Sequence, residues 1–479
     1  MIALELIRRV ERHAGEAPGR VAYISPGGEQ TLQYAQLAAR IRALADAIAP
    51  QVSLGDTVML RCPNSIEYPV WFLALLACGA NVFPVSGELT ESELRSMAGR
   101  IGVKVIVGGD SMRGIAPAGW AVDFAMICHA CAGAGDRTAR PAGNLLLASS
   151  GTTGQPKVVR RSGPSLDAVS RNMAEAIAFS PADRVLASVP LTHSYGVEHG
   201  LLAPLWAGST VQLCDGLDLD VMTRALAGGV SVFPVVPSII EMLATLPDES
   251  LRIAGLRVAY SAGGPLPELV YERFRRRFGV RIGQVYGMTE IGSVTFGAPD
   301  APTFDPRSVG VPMQDVSIRV LGDDGAALPV GEDGEVAIRA PSMFGGYLDE
   351  DVSLIDNHFP TGDLGHIDAV GNLTITGRVR LLIDTGGMKI NPLEVESVLA
   401  GHPDVAECAI VAMRQSETVQ RLRAVIVPRD VLSPPSTESI RRFAKQRLAA
   451  YKIPRLIEFR HDLPRTATGK LARHLLETM

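Results

Sequence analysis

Apolar, β-rich segments alternate with helix-like segments over about the first 300 residues, and this alternation restricts the fold more than any other feature. The strand-like runs are short, and they read DTVMLRC, VKVIVGG, NLLLASS, DRVLASVP, VSVFPVVP and LRVAYSAG. Helix-like segments such as SIEYPVWFLALLACG and LPELVYERFRRRFG separate them. Short buried strands that alternate with helices are typical of parallel sheets covered on both faces. The sequence therefore predicts an α/β fold with largely parallel sheets.

The pattern changes after about residue 300. The stretch VSIRVLGDDGAALPVGEDGEVAIRA reads as a strand, an Asp-Gly turn and a strand, which indicates a small antiparallel barrel or hairpin module within about 301–378. Beyond Arg378, helical stretches (PLEVESVLAGH, TESIRRFAKQRLAAY) mix with strands (VAECAIVAM, LRAVIVP). We therefore expect a large N-terminal domain over 1–378, with α/β subdomains and a small β-barrel, and a small α+β C-terminal domain over 381–479.

Charge and apolar patterning exclude some classes of function. The net charge of the 479 residues is −5, so we expect no nucleic-acid partner. The longest apolar run, Tyr68–Val85, is broken by Pro69, Gly79, Asn81 and Pro84, and it predicts a buried helix and strand rather than membrane insertion. The charges in MIALELIRRVERHAGE come too early for a secretory signal, so we expect a cytoplasmic protein.

The cysteines do not predict a disulfide framework or a metal centre. There are six, and Cys128 and Cys131 form a C-x-x-C pair with no second pair to complete a zinc site. We interpret them as ordinary buried or loop thiols. No HExxH or GxSxG stretch supports a hydrolase.

A loop rich in glycine and hydroxyl groups, SSGTTGQPK, lies between two strand-like runs. Glycines allow the backbone to approach a phosphate and direct its N–H groups at the oxygens. The loop is not the P-loop of kinases, because Gln155 and Pro156 separate Gly154 from Lys157. On turn chemistry alone, a flexible hairpin explains it better than a phosphate site.

Four further stretches carry groups suited to a nucleotide. VYGMTE places Thr289, whose hydroxyl can hold a phosphate oxygen, beside Glu290, whose carboxylate can hold Mg²⁺. TGDLG places Asp363 in a glycine turn, where it could accept the hydrogen bonds of a ribose diol, although an Asx-type turn explains it equally well. Arg378 supplies a cation, and Lys470 lies in PRTATGK, where a lone lysine is ordinarily solvated.

In this order SSGTTGQPK, YGMTE, TGD, GR and PRTATGK resemble the motifs of the adenylate-forming superfamily. That superfamily includes acyl-CoA and aryl-CoA synthetases, adenylation domains of peptide synthetases and beetle luciferases, and the resemblance covers essentially the whole chain. It implies an ATP- and Mg²⁺-dependent acid–thiol ligase that adenylates a carboxylate, releases pyrophosphate and transfers the acyl group to CoA. A stand-alone enzyme that loads the phosphopantetheine thiol of an acyl carrier protein, a luciferase-like oxygenase and a silent nucleotide-binding protein remain alternatives.

The resemblance also assigns residues to ATP by their position in the motifs. The residues that would hold the β- and γ-phosphates are Ser150, Gly151, Thr152, Thr153, Gly154 and Lys157. Those that would frame the adenine are Gly263, Gln284 and Tyr286. Thr289 would contact the α-phosphate and Glu290 would hold Mg²⁺, while Asp363 and Arg378 would bind the ribose. Lys470 would be catalytic, because it would bridge the substrate carboxylate and the α-phosphate.

The stretch PLTHSYGVEHG matches the family's acyl-pocket wall. His193 occupies the position of a gating residue, which makes it a second catalytic candidate, and Tyr195 resembles a tyrosine that lines the pocket of aryl-CoA ligases. Gly287 stands where acetate-activating members carry tryptophan, so an acid larger than acetate is expected. No aspartate lies between Pro190 and Gly196, which disfavours an α-amino acid. Aryl and medium-chain acids both remain open.

The resemblance further implies that the C-terminal domain is mobile. Its hinge would be 379–380, with Arg380 at the hinge position. The swing would withdraw Lys470 and bring in DTGGMKINP, in which Gly386 and Gly387 would line a tunnel for the thiol and let the backbone lie close to it.

Overall fold

The structure is a computed structural model, and its description covers part of the chain. The described residues are 4–108, 121–122, 143–149, 157–247, 251–253, 255–264, 266–322, 324–378, 383–385, 388–390, 392–415, 419–464 and 473–477. The chain divides into two compact units, the first made of 1–87, 98–147 and 158–379, and the second of 88–97, 148–157 and 380–479. The hinge proposed at 379–380 lies outside the described residues.

A nine-stranded sheet runs through the first unit. Its strands are β1 (Val21–Ile24), β2 (Thr31–Gln33), β9 (Arg184–Ala187), β10 (Thr210–Leu213), β11 (Val232–Val235), β12 (Val258–Ser261), β13 (Ile282–Met288), β14 (Gly292–Gly297) and β15 (Val311–Pro312). Their order is β15-β14-β13-β12-β11-β9-β10-β1-β2. The central pairs are parallel and the pairs at the two ends are antiparallel. The predicted α/β fold is therefore confirmed.

A second, six-stranded sheet has the order β6-β5-β3-β4-β7-β8. Its strands are β3 (Thr57–Leu60), β4 (Asn81–Pro84), β5 (Val103–Val107), β6 (Ala121–Val122), β7 (Leu145–Ser149) and β8 (Lys157–Arg161). The pairs β3/β4, β3/β5, β4/β7 and β5/β6 are parallel. Strands β7 and β8 flank the glycine-rich loop and are neighbours, as the sequence predicted.

The helices as far as residue 278 alternate with these strands. They are α1 (Glu5–Glu16), α2 (Tyr34–Ile48), α3 (Glu67–Ala77), α4 (Glu91–Arg100), α5 (Gly163–Ala176), α6 (Ser194–Val197), α7 (Ala203–Ala207), α8 (Leu219–Ala227), α9 (Pro237–Thr245) and α10 (Glu268–Phe278). Every side chain of α3 from Tyr68 to Leu76 is buried, as expected for a helix that is apolar on all sides. Among the described residues, no helix combines the length and the hydropathy needed to cross a membrane.

Local sequence signals explain where several helices begin and end. The side chain of Ser162 accepts a hydrogen bond from the Ser165 amide at the start of α5, and Asp218 caps α8 in the same way. These caps satisfy amides that lack a partner within the helix. Helix α10 ends at Gly279, whose φ of 71° lies in the left-handed region that glycine tolerates.

The antiparallel module predicted after residue 300 is a four-stranded sheet, β16-β17-β18-β19. Its strands are β16 (Ser317–Leu321), β17 (Gly334–Arg339), β18 (Phe359–Ile367) and β19 (Leu373–Arg378). Each strand pairs with its sequence neighbour, and in the described part of the chain β16 forms no ladder with β19. Among these described strands the module is therefore a sheet of antiparallel hairpins, the second of the two forms that the sequence predicted.

The second unit contains a small α+β fold, as predicted. Its elements after residue 380 are β20 (Ile383–Asp384), β21 (Lys389–Ile390), α11 (Pro392–Ala400), β22 (Val405–Arg414), β23 (Gln420–Pro428), α12 (Thr437–Lys445), a 3₁₀ turn (Ala450–Lys452), β24 (Leu456–Phe459) and α13 (His474–Glu477). Strands β22 and β23 are antiparallel, and β24 joins β23 in parallel.

Asp183 ties together the amino-terminal ends of three strands of the large sheet. It lies just before β9 and is 5% exposed. Its carboxylate accepts hydrogen bonds from Ser231 before β11, from Arg257 before β12 and from the Ser180 amide. Burial acts to raise the pKa of Asp183, but these hydrogen bonds outweigh burial and hold the pKa below its ordinary value.

We predict that Asp183→Asn destabilises the protein by about 1–3 kcal/mol at pH 7, because it removes charged hydrogen bonds. Folding lowers the pKa of this carboxyl, so its charge stabilises the folded state at every pH above the unfolded-state pKa of about 4. This contribution is lost as the pH falls through the pKa of the folded state. Urea unfolding from pH 7 to pH 3 should show the wild type and the variant converging. Asp300→Asn, at an exposed position, is the control. A difference in the free energy of unfolding between wild type and Asp183→Asn that did not change with pH would contradict the prediction.

Candidate active site

Five of the predicted site residues follow strands that end at one edge of the large sheet. Strands β9, β11, β12 and β13 are parallel neighbours, so their carboxyl ends meet at the same edge. His193 and Tyr195 follow β9, Gly263 follows β12, and Thr289 and Glu290 follow β13. Ligands of open α/β sheets bind outside the carboxyl ends of the strands. The fold therefore gathers these residues where a ligand is expected.

The segment after β9 is an interrupted helix. Helix α6 begins after His193, a π-helical turn covers Glu198–Leu202, and α7 continues from Ala203. A Cβ atom on Gly196 would lie 2.0 Å from the Pro190 carbonyl oxygen, so only glycine lets the helix start this close to the preceding loop. Single π-turns within helices are frequent at functional sites, because they reorient the side chains that follow.

A fully buried ion pair lies behind this helix. Arg161 at the end of β8 and Glu198 in the π-turn have side chains that are 0% and 3% exposed, with Nη1 and Oε1 2.9 Å apart. Arg161 Nε also donates to Ser165 Oγ, and Glu198 accepts from the Ser194 hydroxyl and from the amide and hydroxyl of Ser293. Burial acts to raise the pKa of Glu198, but the charge of Arg161 and these hydrogen bonds lower it below its usual range.

His199 extends this network and is held neutral. Its Nδ1 lies 2.8 Å from the Tyr260 hydroxyl and its Nε2 lies 2.9 Å from Ser293 Oγ. Because Ser293 Oγ donates its proton to Glu198, it accepts from Nε2–H, and Nδ1 then accepts from Tyr260. Burial lowers the pKa of His199 to about 4, although the Glu198 charge opposes the shift.

The ion pair joins three segments of the site. Arg161 belongs to β8, the strand that follows the glycine-rich loop, and Glu198 belongs to the segment after β9. Ser293 is the second residue of β14. Gly292 has a φ of 74°, and a Cβ atom there would lie 2.8 Å from Arg161 Nη2 and 2.9 Å from Glu198 Oε1. A glycine is therefore needed for the β13–β14 turn to lie against the pair.

Asp363 and Tyr286 lie side by side, and the local structure around Asp363 differs from the predicted one. The stretch Thr361–Gly365 lies within β18 and does not form the expected glycine turn. The Tyr286 hydroxyl donates to Asp363 Oδ2 at 2.6 Å, and Asp363 is 2% exposed. Arg378 is the register partner of Asp363 on β19, which places the two predicted ribose ligands opposite each other.

Two of the residues predicted to frame the adenine, Gly263 and Gln284, have different structural roles. Gly263 has a φ of 86°, so the backbone after β12 adopts a conformation that favours glycine. Gln284 is 6% exposed, and its amide nitrogen donates to the carbonyl oxygens of Pro306 and Ser308. The side chain of Gln284 therefore holds the segment after β14 in place.

Glu290 presents a buried carboxylate suited to a hard cation. It is 6% exposed, and Oε1 accepts from the Tyr347 hydroxyl at 3.1 Å. Burial, together with the Glu290 charge, raises the pKa of Tyr347. Across the described residues, no three His, Cys, Asp or Glu side chains cluster as a metal site. Mg²⁺ is commonly held by one or two carboxylates plus substrate phosphates, and Glu290 with an adjacent Thr289 fits that pattern.

His193 and Tyr195 belong to the segment that was predicted to line the pocket for the acid. His193 Nε2 is buried without a hydrogen-bond partner among the residues that the structure describes, and burial lowers its pKa. The Tyr195 hydroxyl lies 3.3 Å from the carbonyl oxygens of both Val235 and Tyr260. An unpaired imidazole nitrogen beside the strand ends is available to a ligand.

Gly287 requires a different explanation from the one that its motif suggested. A Cβ atom there would lie 2.4 Å from the Gly292 carbonyl oxygen and 2.7 Å from the Ser293 Cα atom. The backbone of β14 thus fills the space into which a side chain at position 287 would point. A tryptophan there would require the β13–β14 hairpin to move. The hairpin alone accounts for glycine, and the assignment of Gly287 to the acyl pocket stays a prediction.

The remaining predicted residues fall largely outside the described part of the chain. Those outside it are Ser150, Gly151, Thr152, Thr153, Gly154, Arg380, Gly386, Gly387, Lys470 and the pair Cys128 and Cys131. Lys157 is described as the first residue of β8.

Sequence reasoning missed Arg161, Glu198 and Ser293. The available signal was the position of Glu198 inside the largely apolar stretch YGVEHGLLAPLW, whereas Arg161 lies beside other charges in KVVRRS and gave none. A charge within a buried strand or helix requires a partner, and that requirement could have suggested a pair.

Comparisons with known proteins find relatives that align with nearly the whole chain. Residues 10–348 match the family described as AMP-binding enzyme, and residues 394–470 match the AMP-binding enzyme C-terminal domain. Indoleacetate–CoA ligase of Aromatoleum aromaticum is 30% identical, with 98% of this chain and 97% of that protein covered. Oxalate–CoA ligase of Arabidopsis thaliana is 28% identical, with 98% and 97% covered. A malonyl-CoA ligase structure with methylmalonyl-CoA and AMP bound is 29% identical, has a TM-score of 0.84, and covers 94% of this chain and 98% of its own.

We predict that Glu198→Leu destabilises the protein by about 3–5 kcal/mol, because it leaves the buried Arg161 charge uncompensated. The double variant Arg161→Met/Glu198→Leu should lose less than the sum of the two single variants. Urea unfolding of the four proteins gives the coupling free energy.

The same cycle on Arg275 and Glu272, an exposed pair within α10, is the matched control and should give a much smaller coupling free energy, because solvent screens the two charges. Additive losses at Arg161 and Glu198 would show that the two charges do not depend on each other.

Proposed function

Because the chain belongs to the family of AMP-binding enzymes, we propose that it activates a carboxylic acid with ATP and joins the acyl group to CoA. The single observation that carries this proposal is the whole-chain similarity to acid–CoA ligases. The gathering of the predicted nucleotide and acid residues at the carboxyl edge of the large sheet supports it.

The first half-reaction forms an acyl–adenylate. A carboxylate oxygen attacks the α-phosphorus of ATP, the bond from that phosphorus to the bridging oxygen of the β-phosphate breaks, and pyrophosphate leaves. Lys470 would neutralise the charge that builds between carboxylate and α-phosphate, and Thr289 would bind an α-phosphate oxygen. Mg²⁺, held by Glu290, would supply further positive charge to the phosphates. Such electrostatic stabilisation is usually the largest catalytic contribution.

The nucleotide would be held by residues of the sheet edge and of β18. Asp363, which accepts from Tyr286, would also accept hydrogen bonds from the ribose hydroxyls. Arg378, its register partner, would provide the second ribose contact. Gly263 would let the backbone lie flat against the adenine, and Lys157 with the loop 150–154 would bind the β- and γ-phosphates.

The second half-reaction transfers the acyl group. The thiol of CoA attacks the acyl carbonyl, its proton is lost, and AMP leaves. We propose that the C-terminal domain turns about 379–380 between the two steps, so that Gly386 and Gly387 replace Lys470 beside the substrate. A carrier-protein thiol would use the same chemistry, and CoA is the acceptor that the relatives' names favour.

A pyrophosphate-release assay with CoA added or withheld tests this function. We expect release that depends on ATP, Mg²⁺ and a carboxylic acid, with thioester and AMP formed in equal amounts when CoA is present. Pyrophosphate release that yields no thioester with CoA would contradict CoA as the acceptor. Consumption of oxygen in the second step would indicate a luciferase-like enzyme.

We predict that Lys470→Ala lowers the rate of acyl–adenylate formation by about 10²–10³-fold, because a positioned cation is lost from a transition state that gains charge. The thiol step should be largely unchanged when acyl–adenylate is supplied, since Lys470 would act only in the first arrangement. Pyrophosphate release and thioester formation are measured separately. Lys445→Ala, on the exposed face of α12, is the control, and normal adenylation by Lys470→Ala would refute the assignment.

A further inference from the structure

A short segment between β17 and β18, residues 344–348, lies along β8, the strand that follows the glycine-rich loop. The Gly345 amide donates to the Arg160 carbonyl oxygen at 2.8 Å, and the Arg160 amide donates to the Gly346 carbonyl oxygen at 3.1 Å. Gly346 has a φ of 115°, a value that favours glycine. These backbone hydrogen bonds fix the segment to β8.

The same segment holds Glu290 at two points. The Phe344 amide donates to the Glu290 carbonyl oxygen at 2.8 Å, and the Tyr347 hydroxyl donates to Glu290 Oε1 at 3.1 Å. The Tyr347 ring packs edge-on against Phe344, with the ring centroids 4.9 Å apart. Burial, followed by the Glu290 charge, raises the pKa of Tyr347, so its hydroxyl keeps the proton that it donates. One segment therefore holds both the backbone and the carboxylate of Glu290.

The Glu290 carboxylate differs from other buried carboxylates because it has no cationic partner among the described residues. Asp183 is paired with Arg257 at 3.2 Å. Glu198 is paired with Arg161 at 2.9 Å. Glu290 is 6% exposed, and its carboxylate is hydrogen-bonded in the described part of the chain by a neutral tyrosine alone. A buried charge needs compensation, and a bound Mg²⁺ would supply it.

We propose that Tyr347 is a positioning residue for the metal, because its hydroxyl holds the Glu290 carboxylate in the orientation that binds Mg²⁺ together with ATP. This inference rests on the proposed function, since it takes Glu290 as the Mg²⁺ ligand. A glutamate side chain without this hydrogen bond would sample more rotamers, and metal binding would then have to restrict them at a cost in free energy. Hydrogen-bond partners that orient a metal ligand typically change metal affinity by about 10–100-fold.

Tyr347→Phe tests the proposal, because it removes the hydroxyl and keeps the ring that packs against Phe344. Isothermal titration calorimetry of the full-length protein with α,β-methylene-ATP, in Mg²⁺ and in EDTA, gives two nucleotide affinities whose ratio measures the effect of the metal. We expect the variant to lower this ratio by about 10-fold or more and to leave the affinity in EDTA unchanged. Tyr271→Phe is the matched control and should keep the wild-type ratio, since the Tyr271 hydroxyl has no hydrogen bond within the described residues.

A second variant shows whether the hydroxyl acts through the carboxylate. Glu290→Gln should lower the ratio by itself, and adding Tyr347→Phe to it should cause no further loss. An unchanged ratio in Tyr347→Phe, an equal loss of affinity in Mg²⁺ and in EDTA, or a further loss in the double variant would overturn the inference. A wild-type affinity that Mg²⁺ does not increase would contradict both the inference and the assignment of Glu290, whereas the pyrophosphate-release assay tests the proposed function separately.

Discussion

The buried Arg161–Glu198 ion pair is the interaction on which the arrangement of the candidate site depends. Removing two charges from water costs several kcal/mol for each, and that cost is offset only when geometry and hydrogen bonding are nearly complete. Ser165, Ser194 and Ser293 supply further hydrogen bonds to the pair, and Arg161 Nη2 is a buried nitrogen that has no partner among the described residues. These partners belong to separate segments. The pair is therefore stable only when β8, the segment after β9 and the β13–β14 hairpin are packed against one another.

Buried charged groups and a neutral histidine lie near the same edge of the large sheet. The carboxylates assigned to Mg²⁺ and ribose, Glu290 and Asp363, are buried and each accepts a hydrogen bond from a tyrosine. The ring of His199, which lies beside Tyr195, is neutral. A reaction between two anions needs positive charge at the phosphates, and in the proposed mechanism Glu290 would hold the Mg²⁺ that supplies it.

The sequence predicted those parts of the fold and site that local patterns determine. Strand and helix periodicity located β3, β9, β11, β12 and α10 because neighbouring residues set that periodicity. The TGD stretch was misread as a turn, since Gly362, with a φ of 73°, adopts a turn-like conformation inside a strand. Arg161 and Glu198 lie 37 residues apart, and no local pattern relates them. Their pairing follows from the packing of distant segments, which a single sequence does not display.

The central claim is that a carboxylate oxygen becomes bonded to the α-phosphorus of ATP. It is tested most directly by following that oxygen. A monocarboxylate that the enzyme converts is labelled with ¹⁸O at both carboxylate oxygens and incubated with ATP, Mg²⁺, CoA and the enzyme, and the products are examined by mass spectrometry. Thiol attack at the carbonyl should leave one ¹⁸O on AMP and one in the thioester. Unlabelled AMP, or label recovered in inorganic phosphate, would contradict an acyl–adenylate and with it the proposed mechanism.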